Sequence, residues 1–273
     1  MANTLGQTIR AARKNQQLTQ KATAQNICAQ SMLSAIENDK YVPNAQLLIQ
    51  LCQRLNINLE TLSLSKDYSI SQYQSFNQQL EELCNQHQYP KLHQFLKSEE
   101  TIAAVQSASQ TQAYYYYLAV AQWHEQRPVA AIQTLKLSLA QSSKNIVTTL
   151  TRLSWASLGW ILVNQGQQQI AQKLIKESLQ HLELAIYEEN QNILFYLAAL
   201  VYRYLSDFST AFTFLEQGID FATRHNSHYL LSNYYYLLAQ LAHDSGQPKR
   251  QHLALQHQQF LSELFGEKIY HNL

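Results

Sequence analysis

The sequence predicts an all-α protein, with a bundle of short helices at the N-terminus followed by a solenoid of about five helix pairs. Three observations lead there. Among 273 residues only 6 are glycine and 4 are proline, whereas folds rich in strands spend those residues on chain reversals. Apolar residues recur at helical spacing, and Leu, Gln and Ala supply good helix formers between them. From residue 118 onward a pattern returns every 40 residues, the mark of a stacked repeat array.

Composition narrows the functional classes. Hydrophobic residues make up 46% of the chain, yet no stretch reaches the roughly 20 apolar residues that span a bilayer. The opening residues MANTLGQTIRAARK contain no apolar signal-peptide core, so a cytoplasmic protein with no membrane partner is expected. Cys28, Cys52 and Cys84 are too few and too far apart for a zinc ribbon or a disulfide framework, and each reads as a small core hydrophobe. The 10 histidines are scattered; no metal and no cofactor are expected. Phosphate-cradling glycine loops, H-E-x-x-H and G-x-S-x-G are all absent, and the expectation is no enzyme.

Charge is uneven. The whole chain carries +1, but its first 65 residues hold Arg10, Arg13, Lys14, Lys21, Lys40 and Arg54 against Glu37, Asp39 and Glu60. A basic module joined to a near-neutral body suits a nucleic-acid contact at one end and a different partner at the other.

The first helix has Leu5, Ile9 and Ala12 on its inner face, with Arg10, Arg13 and Lys14 outward. Thr19 is the expected N-cap of a short second helix through Gln20, Lys21, Ala24 and Gln25. Asn26, Ile27 and Cys28 make the turn. A third helix follows over 29–38, with Met32 or Leu33 and Ile36 inward. Pro43 and Asn44 introduce a fourth at 45–55, and Leu59 to Leu64 closes the bundle. Two short helices joined by a tight turn are the arrangement that sets one helix end in a DNA major groove.

The run LTQKATAQNICAQSMLSAIEND resembles the helix-turn-helix of the Xre/Cro superfamily over residues 5–64. More narrowly, Leu18-Thr19-Gln20-Lys21, Asn26-Ile27-Cys28, Gln30-Ser31, Ser34 and Ile36-Glu37 resemble PlcR-type regulators of the Rap/Rgg/NprR/PlcR/PrgX group. By position, Gln20 donates its amide to a phosphate with help from the helix dipole. Gln30 and Ser31 enter the groove, where a glutamine amide pairs with adenine. Ser34 lies one turn along the same face; Lys14, Lys21, Lys40 and Tyr41 flank it as backbone contacts. Glu37 reads as an internal buttress.

In the array, Leu118-Ala119, Leu158-Gly159, Ala198-Ala199 and Leu238-Ala239 recur together. Gln126, Gly166, Ser206 and Gly246 fall at the turns between paired helices, and Ala131, Ala171, Ala211 and Gln251 fall in the following helices. Ser138, Ser178 and Gly218 come seven residues later. Small residues at such points let helices approach closely. The pattern resembles tetratricopeptide repeats with lengthened helices. A degenerate first pair, or linker helix, is expected over 70–99, and the last pair with its Gln251 serves as a cap. The expected domains are therefore 1–66 and 67–273.

Carrying the tetratricopeptide register across puts Trp123, Trp160, Asn164, Tyr196, Arg203, Tyr204, Asn233, Tyr236 and Gln240 on the concave side. Amides suit a peptide backbone, aromatics its apolar side chains, and Arg203 a carboxylate. The resemblance implies a quorum-sensing-type transcription regulator. It would bind double-stranded operator DNA as a homodimer, under the control of a short signalling peptide held in the concave groove. Two alternatives share these features: a protein-interaction adaptor, and a ligand-independent repressor of phage or plasmid type.

Overall fold

A computed structural model describes residues 5–38, 40–41, 43–57, 68–143, 147–185 and 187–269. All regular structure among them is helical. The chain divides into two compact units, Met1–Lys66 and Asp67–Leu273.

In the first unit, α1 spans Leu5–Asn15, α2 Gln20–Ala24, α3 Gln30–Glu37 and α4 Ala45–Arg54. Thr19 caps α2 through its hydroxyl, which accepts from the Ala22 N–H at 3.1 Å, and Asn44 caps α4 by accepting from Leu47 at 2.9 Å. Each cap satisfies a backbone donor that has no partner within its helix. Ile9, Ala24, Leu33, Ile36, Leu51 and Leu55 form the core. Leu33 is the inward residue of α3 and Met32 is exposed. The expected closing segment 59–64 lies outside the described residues.

Arg13 departs from expectation. It was placed on the outer side of α1, yet its guanidinium is nearly buried against Glu37. Arg54 is likewise committed, donating to the carbonyls of Ala22 and Gln25 at 3.1 Å each. A cation on the carbonyl end of α2 offsets the negative pole of that short helix.

Among its described residues the second unit holds five antiparallel helix pairs, one further short α-helix and two 3-10 turns, Leu182–Leu184 and Glu189–Gln191. α5 (Gln74–Asn85) pairs with α6 (Tyr89–Leu96), α8 (Ala108–His124) with α9 (Pro128–Ala140), and α10 (Thr149–Asn164) with α11 (Gln168–Leu179). α12 (Asn192–Tyr204) pairs with α13 (Phe208–Arg224), and α14 (Leu231–Asp244) with α15 (Pro248–Phe265). The extra helix, α7 (Glu99–Ala104), was not foreseen; Ser98 caps it, accepting from the Thr101 N–H at 3.2 Å.

The 40-residue period is visible as backbone geometry. Gln126, Gly166, Ser206 and Gly246 all lie in the left-handed region, at φ 60°, 77°, 59° and 70°. Each is followed by an N–H bonded back across the turn: Arg127 to Gln122, Gln167 to Leu162, Asp207 to Tyr202 and Gln247 to Ala242, at 2.7–3.0 Å. This is the helix-ending closure in which a left-handed residue lets the following N–H reach a late carbonyl of the helix. Within the pairs, Ala119, Ala131, Ala171, Ala199 and Ala211 are essentially inaccessible. A methyl on Gly159 would sit 3.2 Å from the Ala171 carbonyl oxygen, so the small residues do set the helix separation. In the last pair Gln251 is half-buried and Ala254 fills the inner position instead.

Candidate functional site

On the first unit, Lys14, Lys21, Gln30, Ser31, Lys40 and Tyr41 are exposed, while Gln20 and Ser34 are half-buried. Gln30 and Ser31 are the first residues of α3, where the free N–H groups and the positive helix pole favour phosphate or base acceptors. The polar side chains beneath them form a relay. Arg13 donates Nε and Nη2 to the two Glu37 oxygens at 2.5 and 2.9 Å, Gln20 Nε2 donates to Glu37 Oε2 at 2.7 Å, and Gln30 Nε2 donates to Gln20 Oε1 at 2.7 Å. Gln20 therefore differs from expectation. Its amide is engaged at both ends, and it positions Gln30 instead of standing free for a phosphate. Burial by itself would raise the Glu37 carboxyl, but the hydrogen bonds from Arg13 and Gln20 bring it below the usual carboxylate range.

In the second unit a cavity of about 870 Å³ opens at the C-terminal ends of the inner helices. One register position defines it: His124, Asn164, Tyr204 and Asp244, spaced 40 residues apart, all line it. Trp123, Trp160, Leu200 and Arg203 join them, with Tyr89 from α6. The aromatic walls interlock. The Trp123 and Trp160 rings meet edge to face at 6.2 Å, Trp160 meets Tyr204 in the same way at 6.2 Å, and His124 stacks on Tyr89 at 3.6 Å. Burial, and secondarily the neighbouring His87, lower the His124 pKa to about 4.

Of the nine expected groove residues, the cavity gathers Trp123, Trp160, Asn164, Arg203 and Tyr204. Four do not line it. Tyr196 is 4% exposed and packs its ring on Tyr234. Asn233 is 1% exposed, with its amide on Glu267 and on the Lys268 carbonyl. Tyr236 is half-buried away from the cavity, and Gln240 stands behind Arg203, accepting from its Nη1 at 2.7 Å. Arg203 was expected to hold a ligand carboxylate, but its Nε is already on Asp244 Oδ2 at 2.7 Å. His87, Pro90, Phe208 and Ile269, also part of the lining, escaped the sequence reading because they lie outside the inner helices that the repeat register follows.

Among the described residues no His, Cys, Asp and Glu cluster is suited to a metal, and no helix is long and apolar enough to cross a membrane. All three cysteines are free.

Residues 6–67 match the helix-turn-helix domain family. The first unit is a helix-turn-helix domain. No curated protein sequence matches the chain. Among solved structures, Bacillus thuringiensis PlcR in complex with the peptide PapR7 and DNA is similar at 21% identity. That likeness covers 97% of this chain and 96% of PlcR, with a TM-score of 0.68. ComR from S. thermophilus, in complex with DNA and its signalling peptide ComS, is 15% identical over 97% of this chain and 95% of its own, at a TM-score of 0.55. The nearly identical tetratricopeptide-like repeats of a kinesin light chain from Podospora anserina match 73% of this chain and 98% of their own, at 18% identity and a TM-score of 0.50. The fold of this chain is a helix-turn-helix domain followed, along the sequence, by tetratricopeptide-like helical repeats.

Proposed function

We propose that this protein is a quorum-sensing-type transcription regulator. In this reading its 1–66 domain reads operator DNA and its 67–273 domain binds a short signalling peptide. The observation that carries the proposal is the union, in one chain, of an exposed polar α3 start with a walled aromatic cavity in a repeat array. PlcR and ComR, which share this fold, are seen with both DNA and a peptide.

On the DNA side, Gln30 and Ser31 read base edges, Ser34 supports them, and Lys14, Lys21, Lys40 and Tyr41 hold phosphates. Phosphate contacts fix the register and base contacts supply the sequence preference. The peptide lies against Trp123, Trp160 and Tyr204, with Asn164 offering its amide. Arg203, neutralised by Asp244, serves as a polar wall. Two half-site readers separated by about 34 Å, one DNA turn, require a homodimer; the exposed Leu253, Phe260 and Leu264 on α15 supply apolar surface for a second copy. The protein acts in the cytoplasm and catalyses nothing.

The test is selection of bound sequences from random DNA by the full chain, followed by anisotropy titrations with and without short synthetic peptides. Enrichment of a two-half-site sequence whose affinity a peptide changes is the expected result. No enriched sequence would remove the DNA-reader half and leave an adaptor. An enriched sequence indifferent to every peptide would leave a ligand-independent repressor.

A further inference from the structure

Residues 266–269, beyond α15, fold back onto the repeat array. Gly266 ends α15 at φ 66°, with its N–H bonded to the Ser262 carbonyl at 2.9 Å. The next residue returns to the start of α14. There the Glu267 carboxylate accepts from the Ser232 N–H at 3.1 Å, from Asn233 Nδ2 at 2.8 Å, and from the Leu230 backbone. Asn233 also donates to the Lys268 carbonyl at 3.0 Å. The His87 ring, from the turn between α5 and α6, bonds the Lys268 backbone, and Ile269 lines the cavity.

The receptor for Glu267 is built, not incidental. The first N–H groups of a helix have no internal partners, and the positive helix pole attracts an anion. Asn233 occupies the register position held by Ala113 and Leu153 in earlier pairs, both core residues. A buried amide in place of an apolar side chain is costly unless it is hydrogen-bonded, and the Glu267 carboxylate and Lys268 carbonyl are what bond it. Burial raises the Glu267 carboxyl, while the bonds from Asn233, Ser232 and Leu230 act in the opposite direction.

We propose that Asn233 and the Leu230 and Ser232 N–H groups, at the start of α14 and reached from the cavity through Ile269, form a carboxylate subsite beside the groove, filled by Glu267 in this structure and taken over by a carboxylate of the incoming peptide. The proposal rests on the peptide-groove reading above. A segment tethered this closely competes at an effective concentration on the order of millimolar. Glu267 therefore sets the threshold that an external peptide must exceed, and Ile269 must leave the cavity when it does.

The experiment uses the full chain, as wild type and as Glu267→Ala, titrated with a synthetic peptide of the sequence of residues 266–273. Tryptophan fluorescence, to which the cavity-lining Trp123 and Trp160 contribute beside Trp155, reports occupancy. Glu267→Ala should bind this peptide at least about tenfold more tightly than wild type, because the internal competitor is gone. Two further peptides identify the carboxylate: one with glutamine in place of its glutamate, and one amidated at its C-terminus. About tenfold weaker binding of either supports the subsite and names the side chain or the terminal carboxylate as the recognised group. Equal binding by wild type and Glu267→Ala, no binding by either, or indifference to both peptide changes overturns it. Glu267→Gln, which keeps the side-chain shape, is held to the same criterion should Glu267→Ala melt early. Lys268→Ala, which keeps the backbone contacts, should behave as wild type. These titrations contain no DNA. Tail competition without operator binding keeps the subsite and removes the regulator reading; peptide-dependent operator binding without tail competition does the reverse.

Discussion

Arg13 and Glu37, 24 residues apart, meet through two hydrogen bonds of 2.5 and 2.9 Å with the carboxylate almost wholly buried. The pair ties α1 to α3, the helix that presents Gln30. Removing one partner strands a buried charge, which costs roughly 3–5 kcal/mol. Arg13→Ala should therefore destabilise the helix-turn-helix domain by about that amount, measured by urea titration of its circular dichroism. The Glu37 carboxyl is held below its unfolded value, near 4.3. Its stabilisation is thus complete above that pH and disappears as pH falls through the lower folded value. A double-mutant cycle with Glu37→Gln that shows additive losses would remove the pair from this role.

Under the proposed DNA-reading role, the relay from Glu37 through Gln20 to Gln30 predicts a division of labour among these side chains. Gln30→Ala should lower discrimination at one base position by about 1–3 kcal/mol. Gln20→Ala leaves Gln30 in place but unbraced, so it should reduce the ratio of specific to non-specific affinity more than non-specific affinity itself. Lys14→Ala should weaken binding to all sequences alike and shallow the salt dependence by about one unit of slope. Competition titrations at several salt concentrations separate the three. Equal effects of Lys14→Ala and Gln30→Ala on specificity would show that Gln30 does not read bases.

What could be seen in the sequence was what periodicity encodes. The 40-residue spacing located the left-handed turns at Gln126, Gly166, Ser206 and Gly246 and the close-approach alanines, because the same backbone event recurs in each pair. It did not say which register position is wet. Tyr196 and Tyr236 were placed in the groove alongside Asn164 and Tyr204, yet Tyr196 is buried, as are Tyr116 and Ala156 at the same register position, and it is the register of Asn164 and Tyr204 that lines the cavity. Periodicity makes positions equivalent; their exposure depends on superhelical curvature, which involves contacts far apart in sequence. Asn233 shows the limit most sharply. A polar residue at a core register reads as a ligand contact until the returning Glu267 is known, and nothing local announces a segment 34 residues away.

Gly218 marks where the small-residue register is used differently. Ser138 and Ser178 bond backbone carbonyls at the equivalent positions, whereas Gly218 makes room for the ring of Tyr234, which is fully buried. The Tyr234 hydroxyl donates to the Asn192 carbonyl, so the ring is anchored at its far end and cannot swing aside. A methyl at position 218 would overlap that ring. Gly218→Ala should destabilise the repeat domain by about 1–3 kcal/mol, as overpacking does, despite alanine's better helix propensity. Gly218→Ala combined with Tyr234→Phe, which releases the anchor, should recover part of the loss. A stabilised single variant in thermal melts would mean that the ring yields freely.

The stacked pair Tyr89 and His124 gives the groove a pH dependence of definite sign. The His124 pKa is lowered to about 4, whereas an unfolded histidine titrates near 6.5. Between those values the unfolded chain binds a proton that the folded chain refuses, so stability rises with pH through that window and is level above it. His87, beside His124, is also lowered by burial and acts in the same direction. Most carboxylates are still ionised between pH 6.5 and 5; Glu267, raised by burial, acts in the opposite direction and is common to the wild type and the variant compared below. The melting temperature of the repeat domain should fall on acidification from pH 7.5 to 5.5. The fall should be smaller in His124→Phe, which keeps a ring on Tyr89 and carries no proton. Since His124 lines the cavity, mild acid should, under the proposed peptide-binding role, weaken peptide affinity in the wild type more than in the variant. A variant whose melting temperature and affinity track pH as the wild type does would locate the dependence elsewhere.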